Sequence, residues 1–210
     1  MTLTSLYKEN RSFFIVFILF VIASLFILIF FSKADGFFLL NPYHTPFLNY
    51  FFIPYTYFGH GTFCVAIGLL LFFFKKRFLS LMVLSSYAVS GIVAQVLKYF
   101  FQEARPAVFL KDSSYQYFIK DVTLHNFQAF PSGHTASAFA LAAVLSFSLK
   151  NKKYSMLFLA GAILVGYSRI YLAQHFIDDV FAGAIIGIIS AIICQVYFEK
   201  PFNRLLHSKS

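Results

Sequence analysis

The chain has 210 residues, of which 60% are hydrophobic, 21% aromatic and only 12% charged. A water-soluble domain of this length cannot cover so much apolar surface, so the composition excludes an ordinary soluble protein and predicts an integral membrane protein. The formal net charge of +9 is consistent with an anionic binding partner or with a bias of positive charge toward the loops on one side of a membrane. The positions of the charged residues along the chain distinguish these two explanations.

Six apolar segments are candidate transmembrane helices, each of which needs about 20 mostly apolar residues. They cover residues 13–31, 57–74, 78–100, 134–149, 154–171 and 180–198. The first run is longer than the ~7–15 residues of a signal-peptide core, so we expect an uncleaved first span. The sequence therefore predicts an all-α fold with one domain over residues 1–210, built as a six-transmembrane helical bundle.

Most of the 17 lysine and arginine residues fall on one side of this bundle. With the N-terminus inside, the inner loops hold the runs 75–77 and 150–153, and the tail adds Lys200, Arg204 and Lys209. This is the positive-inside pattern, so the excess charge reflects topology and predicts no nucleic-acid partner. We expect a multi-pass protein of a bacterial inner (cytoplasmic) membrane, with both termini cytoplasmic.

The outer loops differ from the short, basic inner ones. Residues 37–57 carry Pro42, Pro46 and Pro54 among many aromatic residues, so we expect short interfacial pieces there. The connection 101–130 is long and contains Tyr115 and Tyr117, which suit a membrane interface.

The third span ends in KYFFQEARP, which separates Lys98 from Arg105 by seven residues. Two helical turns cover this distance, so both cations can share a helix face if the helix continues that far. Pro106 disfavours helical geometry at Arg105, so we expect the helix to end there.

Further polar motifs lie at the same outer ends of the last three spans. They are Ser132, Gly133 and His134 before the fourth span, Arg169 at the end of the fifth, and His175 and Asp179 at the start of the sixth. Ionisable residues at membrane spans indicate a functional site. The alternative is structural, with snorkelling cations, capping histidines and Arg169 paired to Asp178 or Asp179. It explains each residue singly but not their convergence on one face of the membrane, which predicts an extracytoplasmic active site.

Such a set of residues suits phosphate chemistry. Three cations, a serine hydroxyl and a helix N-terminus form an anion cradle, and two histidines can divide into nucleophile and proton donor. Asp179 can accept the N–H of His175 and leave its other nitrogen free to attack phosphorus, while His134 protonates the leaving group. A metal on His175 and Asp179 is the alternative, but three cations would repel a dication, so we expect no metal and no cofactor.

These motifs resemble the three-part signature of the type 2 phosphatidic acid phosphatases. They read Lys98-x6-Arg105-Pro106, Pro131-Ser132-Gly133-His134 and Ser168-Arg169-x5-His175-x3-Asp179. That superfamily also contains bacterial lipid phosphatases, glucose-6-phosphatase and soluble vanadium haloperoxidases, the last of which six spans exclude. The resemblance implies that His175 forms a phosphohistidine, that Asp179 orients it and that His134 is the general acid. By the same resemblance the phosphate-binding residues are Lys98, Arg105, Ser132, Gly133 and Arg169, and no metal is needed.

The signature does not encode the substrate. An outward-facing site favours a phosphorylated membrane lipid, first undecaprenyl pyrophosphate or a glycerolipid phosphate such as phosphatidylglycerophosphate or phosphatidic acid, and then a lipid A phosphate. A phosphotransferase and a non-catalytic transporter or scaffold stay open, as does the oligomeric state. His60 and His125 are either headgroup contacts or plain interfacial residues, and Asp178 lies off the motif spacing.

Overall fold

The structure, a computed structural model, describes residues 2–120, 122–199 and 201, and all regular elements in that part of the chain are helical. The helices are α1 (Leu3–Glu9), α2 (Arg11–Phe30), α3 (Lys33–Leu40), α4 (Pro46–Tyr55), α5 (Gly61–Phe73), α6 (Arg77–Phe101), α7 (Pro106–Phe109), α8 (Gly133–Ser148), α9 (Ser155–Tyr171) and α10 (Ile177–Ile193). The predicted all-α class is confirmed. Lys200, Arg204 and Lys209, on which the charge argument partly depends, lie outside the described residues.

Each of the six predicted spans contains a helix, but the helices differ in length. Four helical segments are long and apolar enough to cross a membrane: Arg11–Phe30, Arg77–Phe109, Lys152–Tyr171 and Ile177–Phe198. Pro46–Gly59 and Gly61–Phe73 together make a fifth, bent by 59°. The bend falls at His60, whose ring accepts a hydrogen bond from the Thr62 backbone N–H and so caps α5. The sixth, Gly133–Ser148, is shorter, so the predicted count of six full spans is not reproduced.

The short helix α8 is the centre of the bundle. Every residue from 135 to 144 is buried, and α6, α9 and α10 pack around it. Gly183 and Gly187 of α10 allow the closest of these approaches. A Cβ at Gly187 would lie 2.4 Å from the carbonyl oxygen of Ala136, and one at Gly183 would lie 2.6 Å from that of Ser132. Small residues thus bring the N-terminal ends of α8 and α10 side by side.

Short elements cover this end of the bundle, which we call the site face. Phe37 of α3 packs edge-on against Tyr115 and Phe176, with ring centroids 5.2 and 5.5 Å apart. The buried Asn41 side chain donates to the hydroxyl of Tyr115 at 2.8 Å and to the carbonyl oxygen of Ile170 at 3.1 Å. The predicted break of residues 37–57 into short pieces is confirmed by α3 and α4, and α3 helps to hold the turn between α9 and α10 in place.

Candidate active site

His175 and Asp179 form a buried pair where α10 begins. Nδ1 of His175 lies 3.2 Å from Oδ2 of Asp179, and the side chains are 2% and 0% exposed. The same carboxylate oxygen accepts a 2.9 Å hydrogen bond from the Phe176 backbone N–H. The backbone N–H of His175 donates in turn to the carbonyl oxygen of Arg169. The carboxylate therefore holds the ring through Nδ1, the second bond holds the backbone, and Nε2 is the ring nitrogen that does not contact Asp179.

The surroundings of His175 favour its neutral form. Burial, and after it the positive charge of three nearby cations, holds the pKa of His175 well below its ordinary value of 6.5. In order of effect these cations are Arg105, Arg169 and Lys98. A neutral imidazole retains a lone pair, which a nucleophile requires.

His134 stands on the first turn of α8, and its ring centroid lies 5.4 Å from that of His60. The preceding Ser132 is the N-cap, and its hydroxyl oxygen accepts hydrogen bonds from the Thr135 backbone N–H and from the Thr135 hydroxyl. The predicted phosphate-binding hydroxyl is thus engaged within the helix. A Cβ at Gly133 would meet nothing within 4 Å, so the backbone there is open to close approach.

Arg169 lies under this site, 7% exposed, at the end of α9. Its guanidinium donates a 2.7 Å hydrogen bond to Oγ1 of Thr56, whereas Asp178 pairs with Lys33 and Asp179 with His175. Nε of Arg169 is buried without a hydrogen-bond partner among the described residues. An anionic ligand could accept a hydrogen bond from this buried, charged donor and so supply the missing partner.

Arg105 reaches the site by a route that the sequence did not predict. Helix α6 ends at Phe101, and Gln102 has a left-handed backbone (φ 46°), so α6 does not continue to Arg105. The condition on which Lys98 and Arg105 would share the face of one helix is therefore not met, and the helix ends before Arg105 rather than at it. Arg105 is extended, as Pro106 at the start of α7 requires, and its position depends on the loop.

Both cations bind the backbone of the loop before α8. Lys98 Nζ donates to the carbonyl oxygen of Gln128, and Nε of Arg105 donates to that of Phe127 at 3.1 Å. The Arg105 guanidinium also lies 3.3 Å from Oε1 of Gln174. The two cations are thus satisfied by neutral oxygen acceptors, which a phosphate can replace with stronger, charge-assisted bonds.

Two cavities meet at His134 and His60. The smaller has a volume of about 260 Å³, and the polar side chains that line it include those of Thr56, His60, His125, His134, Arg169 and Gln174. Burial, and after it the positive charges of Arg105 and the other two cations, lower the pKa of His125. The electrostatic effect of the cations therefore extends to this residue. The larger cavity, of about 530 Å³, is a groove along α6 that the beginnings of α5 and α8 complete, and its lining includes Lys98 and His134. A Cβ at Gly91, which lines this groove, would meet nothing within 4 Å.

Three residues that touch the site were not predicted. Thr56 accepts a hydrogen bond from Arg169, and Gln174 accepts one from Arg105. Lys33 forms an ion pair with Asp178. Gln174 lies inside the interval between Arg169 and His175, so the motif itself contained its signal. Thr56 and Lys33 belong to earlier parts of the chain, and their sequence neighbourhoods carry no sign of the contact.

A helical membrane bundle with a buried His–Asp pair, a second histidine and three cations at one end is the arrangement of a membrane phosphatase. A model of the PAP2 superfamily matches residues 79–202, and the chain belongs to that superfamily. The family that the motifs predict is confirmed. The chain is accordingly an enzyme, a phosphoric ester hydrolase.

The relatives include proteins from two bacteria. The chain is 30% identical over 171 residues to phosphatidylglycerophosphatase B of Bacillus subtilis (strain 168), which covers 74% of this chain and 77% of the relative. The crystal structure of Aquifex aeolicus LpxE is similar, with a TM-score of 0.65 and 35% identity over 77% of this chain and 93% of that one. The transmembrane PAP2 type phosphatidylglycerolphosphate phosphatase from Bacillus subtilis gives a TM-score of 0.64 and 27% identity, over 92% of this chain and 97% of that one.

Proposed function

We propose that the chain is a metal-independent lipid phosphatase that releases phosphate from a membrane-lipid headgroup through a phosphohistidine intermediate. The observation that carries this proposal is the buried His175, whose Nδ1 is held by Asp179, with three cations around it and the helix end that carries His134 nearby. The cations supply the electrostatic stabilisation that a metal ion gives in other phosphatases.

In the first step, Nε2 of His175 attacks phosphorus and forms a P–N bond while the P–O bond to the leaving group breaks. The electron pair goes to the leaving oxygen, which takes a proton from His134. The Asp179 carboxylate stabilises the positive charge that develops on the imidazole. In the second step His134, now neutral, accepts a proton from water, whose oxygen attacks phosphorus, breaks the P–N bond and releases inorganic phosphate.

The phosphate-binding role falls to Lys98, Arg105 and Arg169, together with Ser132 and Gly133 at the start of α8. The unpaired Nε of Arg169 is a donor available to a phosphate oxygen. Lys98 and Arg105 would exchange backbone carbonyl partners for phosphate oxygens. Ser132 contributes by capping α8, so that the first-turn backbone N–H groups point toward the ligand.

For the substrate we propose a phosphorylated membrane lipid whose tail lies in the groove along α6. Phosphatidylglycerophosphate is our first candidate, because two of the relatives described above are named for it. Undecaprenyl pyrophosphate is the second, followed by phosphatidic acid and a lipid A phosphate. We place the protein in a bacterial inner membrane as a single multi-pass domain in which the short helix α8 completes six spans, with both termini cytoplasmic and the site face outside.

The test is phosphate release by purified protein in detergent with EDTA present, on phosphatidylglycerophosphate, undecaprenyl pyrophosphate, phosphatidic acid and lipid A in parallel. We expect release from at least one lipid, none from the His175→Ala variant, and an acid-labile phosphoprotein on rapid quenching. Loss of lipid phosphate without free phosphate would indicate a phosphotransferase. Folded protein that removes phosphate from none of the four lipids would contradict the proposal.

A further inference from the structure

Lys33, the first residue of α3, lies among carboxylates beside the catalytic pair. Its Nζ is 2.6 Å from Oε2 of Glu103 and 2.8 Å from Oδ2 of Asp178, and all three side chains are about one-third exposed or less. The ammonium also lies 4.9 Å from the ring centroid of Phe176. Glu103 follows α6 and Asp178 is on the first turn of α10, so this one cation joins three separate parts of the chain.

The place of Lys33 in α3 is not explained by the helix itself. A positive charge at a helix N-terminus opposes the helix dipole, so a lysine there needs compensation from elsewhere. The helix is held independently by Ser32, whose hydroxyl oxygen accepts from the Asp35 backbone N–H, and by Phe37, which is fully buried. The backbone of Lys33 is thus fixed, and its ammonium is directed at Glu103 and Asp178.

The carboxylates around Lys33 include the one that orients His175. Oxygen atoms of Glu103, Asp178 and Asp179 all lie within 4.8 Å of one another. Three negative charges at this separation repel one another and favour uptake of protons unless a cation offsets them. The other charged groups that act on the pair are Lys98, Arg105 and Arg169. Their hydrogen bonds go to backbone carbonyls, Gln174 and Thr56, whereas Lys33 forms the ion pairs with Glu103 and Asp178.

Glu103 also connects Lys33 to the loop before α8. The carbonyl oxygen of Glu103 accepts from the Ala129 backbone N–H at 3.0 Å, and the backbone N–H of Arg105 donates to Asn126 at 2.9 Å. Residues 103–105 and 126–129 therefore run side by side. An ion pair that holds Glu103 holds the segment that carries Arg105.

We propose that Lys33 is a positioning residue of the phosphatase reaction, the counter-ion that fixes Glu103 and Asp178 and offsets their charge beside the His175–Asp179 pair. This inference rests on the proposed role of His175 as nucleophile. Lys33 acts through the carboxylates and needs no contact with the substrate.

The test compares Lys33→Met with Lys33→Arg, which keeps the charge, and with Lys33→Met/Asp178→Asn, which removes one carboxylate together with the cation. Lys111→Met is the matched control, because that lysine is 69% exposed and lies 4.0 Å from its nearest carboxylate, Asp112. For each protein, kcat and KM are measured from pH 5 to 8 with EDTA present, and Tm is measured over the same range.

We expect Lys33→Met to lower kcat about tenfold at neutral pH with little change in KM, because the loss is in alignment and charge at the nucleophile. The acidic limb of the kcat–pH profile of Lys33→Met moves to higher pH. Uncompensated negative charge raises the pKa of His175, so that the nucleophile becomes protonated at a higher pH than in the wild type. Lys33→Arg should have the wild-type kcat–pH profile, and Lys33→Met/Asp178→Asn should recover most of it. Lys111→Met should have the same profile as the wild type.

The Tm readout is independent of activity. Without Lys33 the crowded carboxylates bind protons more tightly in the folded than in the unfolded state, so the variant gains stability as pH falls. The Tm gap between wild type and Lys33→Met therefore narrows from pH 8 to pH 5. A pH-independent gap, an unmoved acidic limb or failure of Lys33→Arg to restore activity would each overturn the inference. Wild-type protein that releases no phosphate would instead reject the proposed function, and the pH dependence of Tm would still test the ion cluster.

Discussion

The backbone N–H of Ser132 donates a 2.9 Å hydrogen bond to the carbonyl oxygen of Asp179. This bond joins the residue that caps α8 to the first turn of α10, and it lies beside the close contact between Gly183 and Ser132. The two histidines of the site are thus held by one rigid junction between two helices. Precise placement of reacting groups on regular elements is what covalent catalysis needs.

The adjacent carboxylates Asp178 and Asp179 provide a matched pair of substitutions. Asp179→Asn should lower kcat by about 10²–10⁴-fold, because an amide can neither fix the tautomer of His175 nor stabilise its positive charge. Asp178→Asn should lower it less than tenfold, since that carboxylate faces Lys33. Steady-state phosphate release on the two purified variants gives the comparison, and equal losses would contradict the assigned division of roles.

In the first step of the proposed reaction, which kcat/KM reports, His134 acts on the leaving group alone. His134→Ala should impair release from a lipid alkyl phosphate far more than from an aryl phosphate, whose leaving oxygen needs no proton. The measurement is the ratio of kcat/KM for the two substrates in wild type and variant. A ratio unchanged by the substitution would exclude His134 as the general acid.

The pH dependence follows from the lowered pKa of His175. A lower pKa means that the neutral, nucleophilic form persists to lower pH. The acidic limb of kcat/KM should therefore fall to half its plateau at a pH well below 6.5. A pH profile in detergent with a chromogenic phosphate and with the lipid substrate checks this expectation, and a midpoint at or above 6.5 would contradict it.

The groove along α6 can be narrowed without disturbing the helix packing. Because a Cβ at Gly91 meets nothing, Gly91→Leu should fold normally and fill space that a lipid chain would use. We expect kcat/KM to fall about tenfold for a long-chain lipid phosphate and to stay unchanged for a short, water-soluble one. Gly91→Ala serves as the control with a smaller side chain, and equal effects on both substrates would place the lipid tail elsewhere.

Gly187 tests the junction between α8 and α10 rather than the chemistry. An added methyl group lies 2.4 Å from the backbone oxygen of Ala136, so the two helices have to separate. We expect Gly187→Ala to destabilise the protein by about 1–3 kcal/mol, as overpacking does in other cores. Thermal unfolding in detergent should show a clear fall in Tm, with no such fall for Gly91→Ala.

The sequence predicts the site better than it predicts the supporting structure. His134, His175 and Arg169 sit at helix ends that hydropathy places on one side of the membrane, and the structure does bring these ends together. The course of the chain from Phe101 to Arg105 was predicted wrongly, because the residue before Pro106 indicates a helix boundary only approximately. The left-handed turn at Gln102 ends α6 four residues earlier.

The contacts made by Thr56 and Lys33 could not be predicted, since they join parts of the chain more than 60 residues apart. Helical periodicity reports which face of a helix is buried but not which distant side chain meets it. The bend at His60 is of the same kind. Residues 46–59 are too rich in proline and aromatic residues to indicate a span, and only the structure shows that they form, with α5, a bent helix pair apolar enough to cross a membrane.

Under the proposed function, the length of helix α8 also sets how deep in the membrane the phosphate would bind. Its 16 residues extend about 24 Å, whereas the hydrocarbon core of a bilayer is about 30 Å thick. With its far end at one hydrocarbon boundary, Gly133 lies about 6 Å short of the opposite headgroup layer. In the proposed reaction, a phosphate bound there would lie below the level of the neighbouring headgroups, and the water that hydrolyses it would have to reach the same depth. We therefore expect the rate of the proposed reaction to depend on bilayer thickness, since a thicker membrane would increase the depth that each phosphate has to reach.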